Sequence, residues 1–158
     1  MVIDMIKNWQ LLLLCVIGCM AVGATSGIIS GDSMKMYSDL KLPDIYPPGY
    51  LFPIVWTILY ALMGVSLYLV IKDGIYKNEI PLAIFGIQLV LNFCWLPIFF
   101  VMSNYLAAFI LLVVIWIFVL MMIYTFWKVD KYAGAIQIPY LIWVTFAGYL
   151  SYSVYILN

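Results

Sequence analysis

The charged residues of this chain are confined to four short clusters separated by long charge-free stretches. Asp4 and Lys7 form the first cluster. Asp32, Lys35, Asp39, Lys41 and Asp44 form the second, Lys72, Asp73, Lys77 and Glu79 the third, and Lys128, Asp130 and Lys131 the last. Between them lie residues 8–31, 45–71, 80–127 and 132–158. A bilayer's hydrocarbon core is about 30 Å thick and takes roughly 20 helical residues to cross. The stretches 8–31, 45–71 and 132–158 each fit one crossing. The stretch 80–127 suits two, joined by a turn at Met102-Ser103-Asn104-Tyr105, the run of uncharged polar residues near its middle. Lipid offers the backbone no hydrogen-bond partner, so only helices or closed barrels span it. The alternating strands of a barrel are absent. The expectation is an all-α integral membrane protein, a single five-transmembrane-helix bundle over 1–158. Its spans are placed near 9–30, 50–71, 81–101, 105–127 and 134–155, with an outer loop over 32–49.

Composition agrees and excludes much else. Only 9% of the residues are charged, against about 25% in soluble domains. Seven Lys balanced by seven acids make no basic face, so nucleic acid is not a partner. The chain has no His and no Arg. Imidazole-dependent triads, zinc sites and His-ligated haem are therefore excluded, and neither a metal nor a cofactor is expected.

Orientation follows from Lys placement. Lys7, Lys72, Lys77, Lys128 and Lys131 share one side of a five-span bundle, whereas Lys35 and Lys41 on the other are diluted by three Asp. The positive-inside bias then puts the N-terminus inside and the C-terminus outside. Residues 1–31 have a rival reading as a signal sequence, with Val16-Ile17-Gly18-Cys19 as a loose lipoprotein box. Asp4 and an apolar run continuing to Ile29 favour a span instead.

The first span carries Cys15, Cys19, Gly23, Gly27 and Gly31 at a spacing of four. Small residues so spaced let a second helix approach closely, so this stripe is read as a packing face. Cys15, Cys19 and Cys94 lack activating neighbours and are read as small apolar filler. On the third span Phe85, Gln88, Asn92, Trp95 and Phe99 share one helical face. Amides at membrane depth must face the bundle interior, either as glue between helices or as donors into a cavity.

Trp9 and Trp127 sit at span ends and fit an interfacial belt. Trp56, Trp95 and Trp143 lie inside their spans near Pro53, Pro97 and Pro139, where bent axes open space. Trp56 and Trp95 fall roughly 9 Å below the outer ends of their spans, and Trp143 about 18 Å below. Three indoles and an amide are thus expected to converge in the outer half of the bundle. Trp116, with no polar neighbour in sequence, is expected to face lipid. The outer loop carries Tyr37, Pro43, Tyr46 and Pro47-Pro48-Gly49. Its prolines stiffen it, and it reads equally as a lid over a cavity or as a plain connector.

Three motifs resemble one family. Pro47-Pro48-Gly49-Tyr50 followed by Val55-Trp56-Thr57-Ile58-Leu59-Tyr60-Ala61-Leu62-Met63-Gly64 resembles the second helix of the translocator protein family, also called tryptophan-rich sensory protein or peripheral benzodiazepine receptor. Leu91-Asn92-Phe93-Cys94-Trp95 with Phe99-Phe100 is similar to its third helix. Pro139-Tyr140-Leu141-Ile142-Trp143-Val144-Thr145-Phe146-Ala147-Gly148-Tyr149-Leu150 is similar to its fifth. The resemblance implies a five-helix bundle, often a homodimer, in a bacterial cell membrane. It also implies a cavity for tetrapyrroles such as protoporphyrin IX, for synthetic isoquinoline and benzodiazepine ligands and, in animal members, for sterol. The family's pocket tryptophans match Trp56 and Trp143, its third-helix amide Asn92 and its loop tyrosine Tyr37.

The candidate ligand-binding set is Tyr37, Pro47, Pro48, Gly49, Trp56, Tyr60, Gln88, Asn92, Trp95, Trp143 and Ala147. Lys35 or Lys41 is placed to meet the propionates of such a ligand. The sterol pattern needs a Lys or Arg after a Tyr on the fifth helix, and no Lys or Arg follows Lys131. The expected function is a porphyrin receptor or carrier in porphyrin sensing, transport or light-dependent degradation. For the last, Trp56 and Trp143 are the redox-active candidates, since no acid, base or nucleophile supports a conventional enzyme. A lipid, sterol or small-molecule transporter and a structural membrane subunit stay open as alternatives.

Overall fold

The computed structural model describes residues 8–31, 33–74 and 79–158. Asp4, Lys7, Asp32 and Lys77, which entered the charge argument, lie outside the described residues. The regular elements of the described residues are all helices: α1 Trp9–Ile29, α2 Ser33–Ser38, α3 Leu51–Ile71, α4 Glu79–Leu96, α5 Tyr105–Val129, α6 Lys131–Ala135 and α7 Ile138–Leu157. A π-helical turn, Pro97–Val101, extends α4. Five runs are long and apolar enough to cross a membrane: α1, α3, α4 with its π turn, α5, and α6 with α7. The protein is an all-α integral membrane bundle of five spans.

Local chemistry sets the ends. Pro97 offers no N–H and crowds the preceding turn, so the ladder widens and the Met102 N–H reaches back to the Pro97 carbonyl at 3.0 Å. Ser103 then takes a left-handed φ of 50°. The Asn104 side chain accepts from the Ala107 N–H at 3.0 Å and caps α5. At the opposite end, Asp130 Oδ1 accepts from the N–H groups of Tyr132 and Ala133 and caps α6. Its other oxygen meets Lys72 Nζ at 3.4 Å. One carboxylate thus starts the last span and ties it to the end of α3.

α1 packs chiefly on α3, and α5 packs between α4 and α7. On α5 the fully buried residues Ala108, Ile115, Val119, Met122 and Phe126 form a single stripe. Leu14, Ile28, Val90 and Ile142 are exposed on the outside, where lipid rather than water is the solvent. Trp9 and Trp127, near span ends, are also exposed. Trp116 corrects the sequence expectation in part. It is 37% exposed, yet its indole N–H donates to the Thr145 hydroxyl at 2.9 Å, so it joins α5 to α7 as well as meeting lipid.

The small-residue stripe on α1 packs within this chain over only part of its length. The helix–helix close approach is made by Gly64 of α3, where an added Cβ would run into the Val16 backbone and the Cys15 carbonyl. At Gly23 an added Cβ would strike the Tyr60 ring, whereas at Gly27 and Gly31 it would meet nothing within 4 Å. Only the Cys15 end of the stripe sits against a neighbouring backbone.

Gly64→Ala is expected to destabilise the bundle by about 1–3 kcal/mol through overpacking. Gly27→Ala is expected to stay within about 0.5 kcal/mol of the parent. Thermal unfolding of the two variants in the same detergent compares them.

Candidate functional site

Gln88, Asn92 and Tyr140 are 0%, 4% and 1% exposed, respectively, in the middle of the bundle. They form one directional chain with Tyr60. The Tyr60 hydroxyl donates to Asn92 Oδ1 at 2.9 Å. Asn92 Nδ2 donates to the Tyr140 hydroxyl at 2.5 Å. That hydroxyl in turn donates to Gln88 Oε1 at 3.0 Å. The chain joins α3, α4 and α7 in a region where water cannot satisfy an amide. Both helix-facing amides therefore act as glue, with Tyr140 as the partner that sequence spacing did not supply. Only Gln88 Nε2 is left over, a buried donor with no hydrogen-bond partner.

Above this chain lies a cavity of about 730 Å³ between α1, α3 and α4, under the segment that joins α1 to α3. That size is within the roughly 300–1,000 Å³ usual for small-molecule sites. Its two sides differ in kind. On the α1 side the wall is Gly23, Ala24, Gly27 and Gly31, with Ile17 and Met20 beside them. On the other side stand Phe52 and Trp56 of α3 and Trp95 and Phe100 of α4. The Ser26 hydroxyl donates to the Phe93 carbonyl at 2.7 Å and holds the two sides together. Besides the indoles, the polar side chains on the wall are Tyr37, Thr57, Tyr60 and Asn92. No charged side chain lines it among the described residues.

The aromatic side is braced from behind. Trp56 packs on Tyr60 at 5.8 Å and on Tyr140 at 6.1 Å between ring centroids. Trp95 packs on Phe99 at 5.2 Å. The π turn brings Phe99 and Phe100 inward together, both buried and 4.8 Å apart. From the connector Tyr37 drops into this cluster, 8% exposed, stacked on Tyr46 at 5.0 Å and close to Phe52 and Phe100. Burial and the neighbouring Tyr46 hold the Tyr37 phenol above its ordinary range. Burial raises Tyr46 as well, partly offset by their shared hydrogen bond.

Of the residues singled out from sequence, Tyr37, Gly49, Trp56, Tyr60, Asn92 and Trp95 come together on the cavity wall. Pro47, Pro48, Gln88, Trp143 and Ala147 are not on it. Pro48 instead accepts the Leu51 N–H at 2.9 Å and starts α3. Gln88 lies deeper in the hydrogen-bonded chain, and Ala147 is buried on α7. Trp143 is half-buried and meets the edge of Phe52 at 5.7 Å, one layer behind the wall. Sequence reasoning missed Phe52, Phe100, Gly23 and Gly27. Phe52 and Phe100 had a usable signal, lying four residues before Trp56 and five after Trp95.

The sequence model of the TspO/MBR family matches residues 15–157. A tryptophan-rich protein TspO of Chlorobaculum tepidum is 40% identical over 155 residues, covering 96% of this chain and 98% of the relative. The tryptophan-rich sensory protein of Cereibacter sphaeroides is 33% identical, over 96% of this chain and 93% of its own. The human translocator protein is 32% identical, over 82% and 79%.

Tyr140→Phe removes the shared hydroxyl and leaves Asn92 Nδ2 and Gln88 Oε1 unpaired, an expected cost of about 1–3 kcal/mol. Tyr60→Phe breaks one bond only, and about 0.6–1.7 kcal/mol is expected, the range for single bonds between membrane helices. Unfolding of both variants in one detergent gives the order.

Proposed function

The chain belongs to the TspO/MBR family, and on that premise we propose that its cavity takes up a flat, largely apolar macrocycle of the protoporphyrin type from the membrane. The observation that carries this reading is the asymmetry of the walls. Glycine backbone on α1 faces indole and phenyl rings on α3 and α4 across a cavity without formal charge. Such a slot admits a thin, wide molecule and offers its faces rings to stack on.

A porphyrin already dissolves in lipid, so its transfer into the cavity gains little from the hydrophobic effect. Selection falls to shape, to ring contacts worth about 0.5–1.5 kcal/mol each, and to the few polar side chains on the wall, Tyr37 among them. Contacts this small favour a micromolar rather than a nanomolar dissociation constant. The uncharged wall supports keeping the propionates at the mouth, beside Lys35 and Lys41 of the connector. We place that mouth on the outer face, with the N-terminus inside, from the lysine distribution. The printed names of the relatives, sensory protein and translocator protein, suit a protein whose output follows cavity occupancy.

Titration of purified protein with protoporphyrin IX, read by quenching of Trp fluorescence, tests the reading. Saturable micromolar quenching is expected for the wild type. Trp56→Leu and Trp95→Leu are each expected to weaken binding about two- to twelvefold, the loss of one ring contact. Gly27→Phe is expected to abolish it by filling the slot from the open side, with an unchanged melting temperature. Wild-type binding that survives Gly27→Phe would place the ligand elsewhere.

A further inference from the structure

The segment between α1 and α3 supplies Tyr37 and Gly49 to the cavity wall. Its backbone is tied to the far side of the bundle by a two-point bond. The Lys41 N–H donates to Asn158 Oδ1 at 3.0 Å, and Asn158 Nδ2 donates back to the Lys41 carbonyl at 2.9 Å. The same Nδ2 also donates to the Val154 carbonyl at 3.0 Å, which fixes the side chain against the last turn of α7. A side-chain amide paired in this way with a backbone N–H and C=O imitates one rung of a sheet, and few side chains present both a donor and an acceptor at that spacing.

The packing beside this bond is incomplete on one side. A second cavity of about 190 Å³ lies under Asp39 and Leu40, against Phe99, Phe100 and Tyr105. The ends of the segment have pivots: Gly31 at a left-handed φ of 66°, and Pro47-Pro48-Gly49 leading into α3. Leu40 and Leu42, on either side of Lys41, are partly buried against the core, and the exposed polar clasp between them supplies the directional tie that holds the cover in register.

We propose that Asn158 is a positioning residue of the ligand site: its amide clasps the connector at Lys41, keeps Tyr37 seated over the cavity, and so sets the rates at which a ligand passes the mouth. The proposal rests on the cavity being the ligand site. Releasing the clasp raises the open fraction with and without ligand alike, so both rates rise while their ratio changes little.

Two measurements on the full chain in nanodiscs decide it. Stopped-flow mixing with protoporphyrin IX is expected to show both association and dissociation about tenfold faster in Asn158→Ala, the effect of losing two exposed hydrogen bonds. The equilibrium constant is expected to stay within about threefold. Asn158→Asp, which keeps the acceptor but loses the donor to Lys41 and Val154, is expected to behave like the alanine variant.

Tryptic nicking of ligand-free protein after Lys41, read by mass spectrometry, is expected to accelerate by a similar factor in both variants, at an unchanged melting temperature. Rates and nicking within about twofold of wild type overturn the proposal, as does a loss of affinity carried by dissociation alone. Absence of any porphyrin binding by the wild type sinks the ligand reading instead, and the nicking rate still decides whether Asn158 holds the connector.

Discussion

Everything in this bundle answers to one constraint: a polar group inside lipid must find its partner within the protein. The run from Tyr60 through Asn92 and Tyr140 to Gln88 is the main response. It reaches three spans, and each spans' contribution is an aromatic hydroxyl or an amide, never a charge. Hydrogen bonds between their side chains fix the placement of α3, α4 and α7 relative to one another at this level. The ring of Tyr140 also carries the edge of Trp56, so the polar chain serves as the foundation of the cavity's aromatic side.

The cavity exists because α1 is treated differently from the other spans. Near Gly64 it lies directly on α3. Further along it is held to α4 through Ser26 and leaves room on its glycine side. Two devices then close the space from above: the π turn that drives Phe99 and Phe100 inward, and the connector that lowers Tyr37 onto them. Neither the π turn nor Tyr37 brings a formal charge onto the cavity wall, although the connector around Tyr37 carries charges of both signs.

Much of the fold could be read in advance, for a plain physical reason. Moving a charge into hydrocarbon is so unfavourable that the positions of fourteen charged residues delimit the spans almost by themselves. The same reasoning correctly turned Gln88 and Asn92 inward. It could not name their partner, because Tyr140 on α7 meets them only through the relative rotation of two helices, and spacing along one helix carries no record of that.

The glycine stripe is ambiguous in sequence for a related reason. Small residues at a spacing of four show where bulk is missing, but a neighbouring backbone and a ligand space remove bulk in the same way. Gly64, alone on its helix, was the true contact. Trp143 was drawn toward the cavity by its depth and nearby proline, yet Phe52 stands between them.

The absence of Asp, Glu, Lys and Arg from residues 8–31, 45–71, 80–127 and 132–158 has an electrical consequence. A transmembrane voltage does work on a conformational change only by moving charge through the field, about 2.3 kcal/mol per elementary charge per 100 mV. Spans such as these carry almost nothing for the field to grip. Their equilibria should therefore depend little on the membrane voltage.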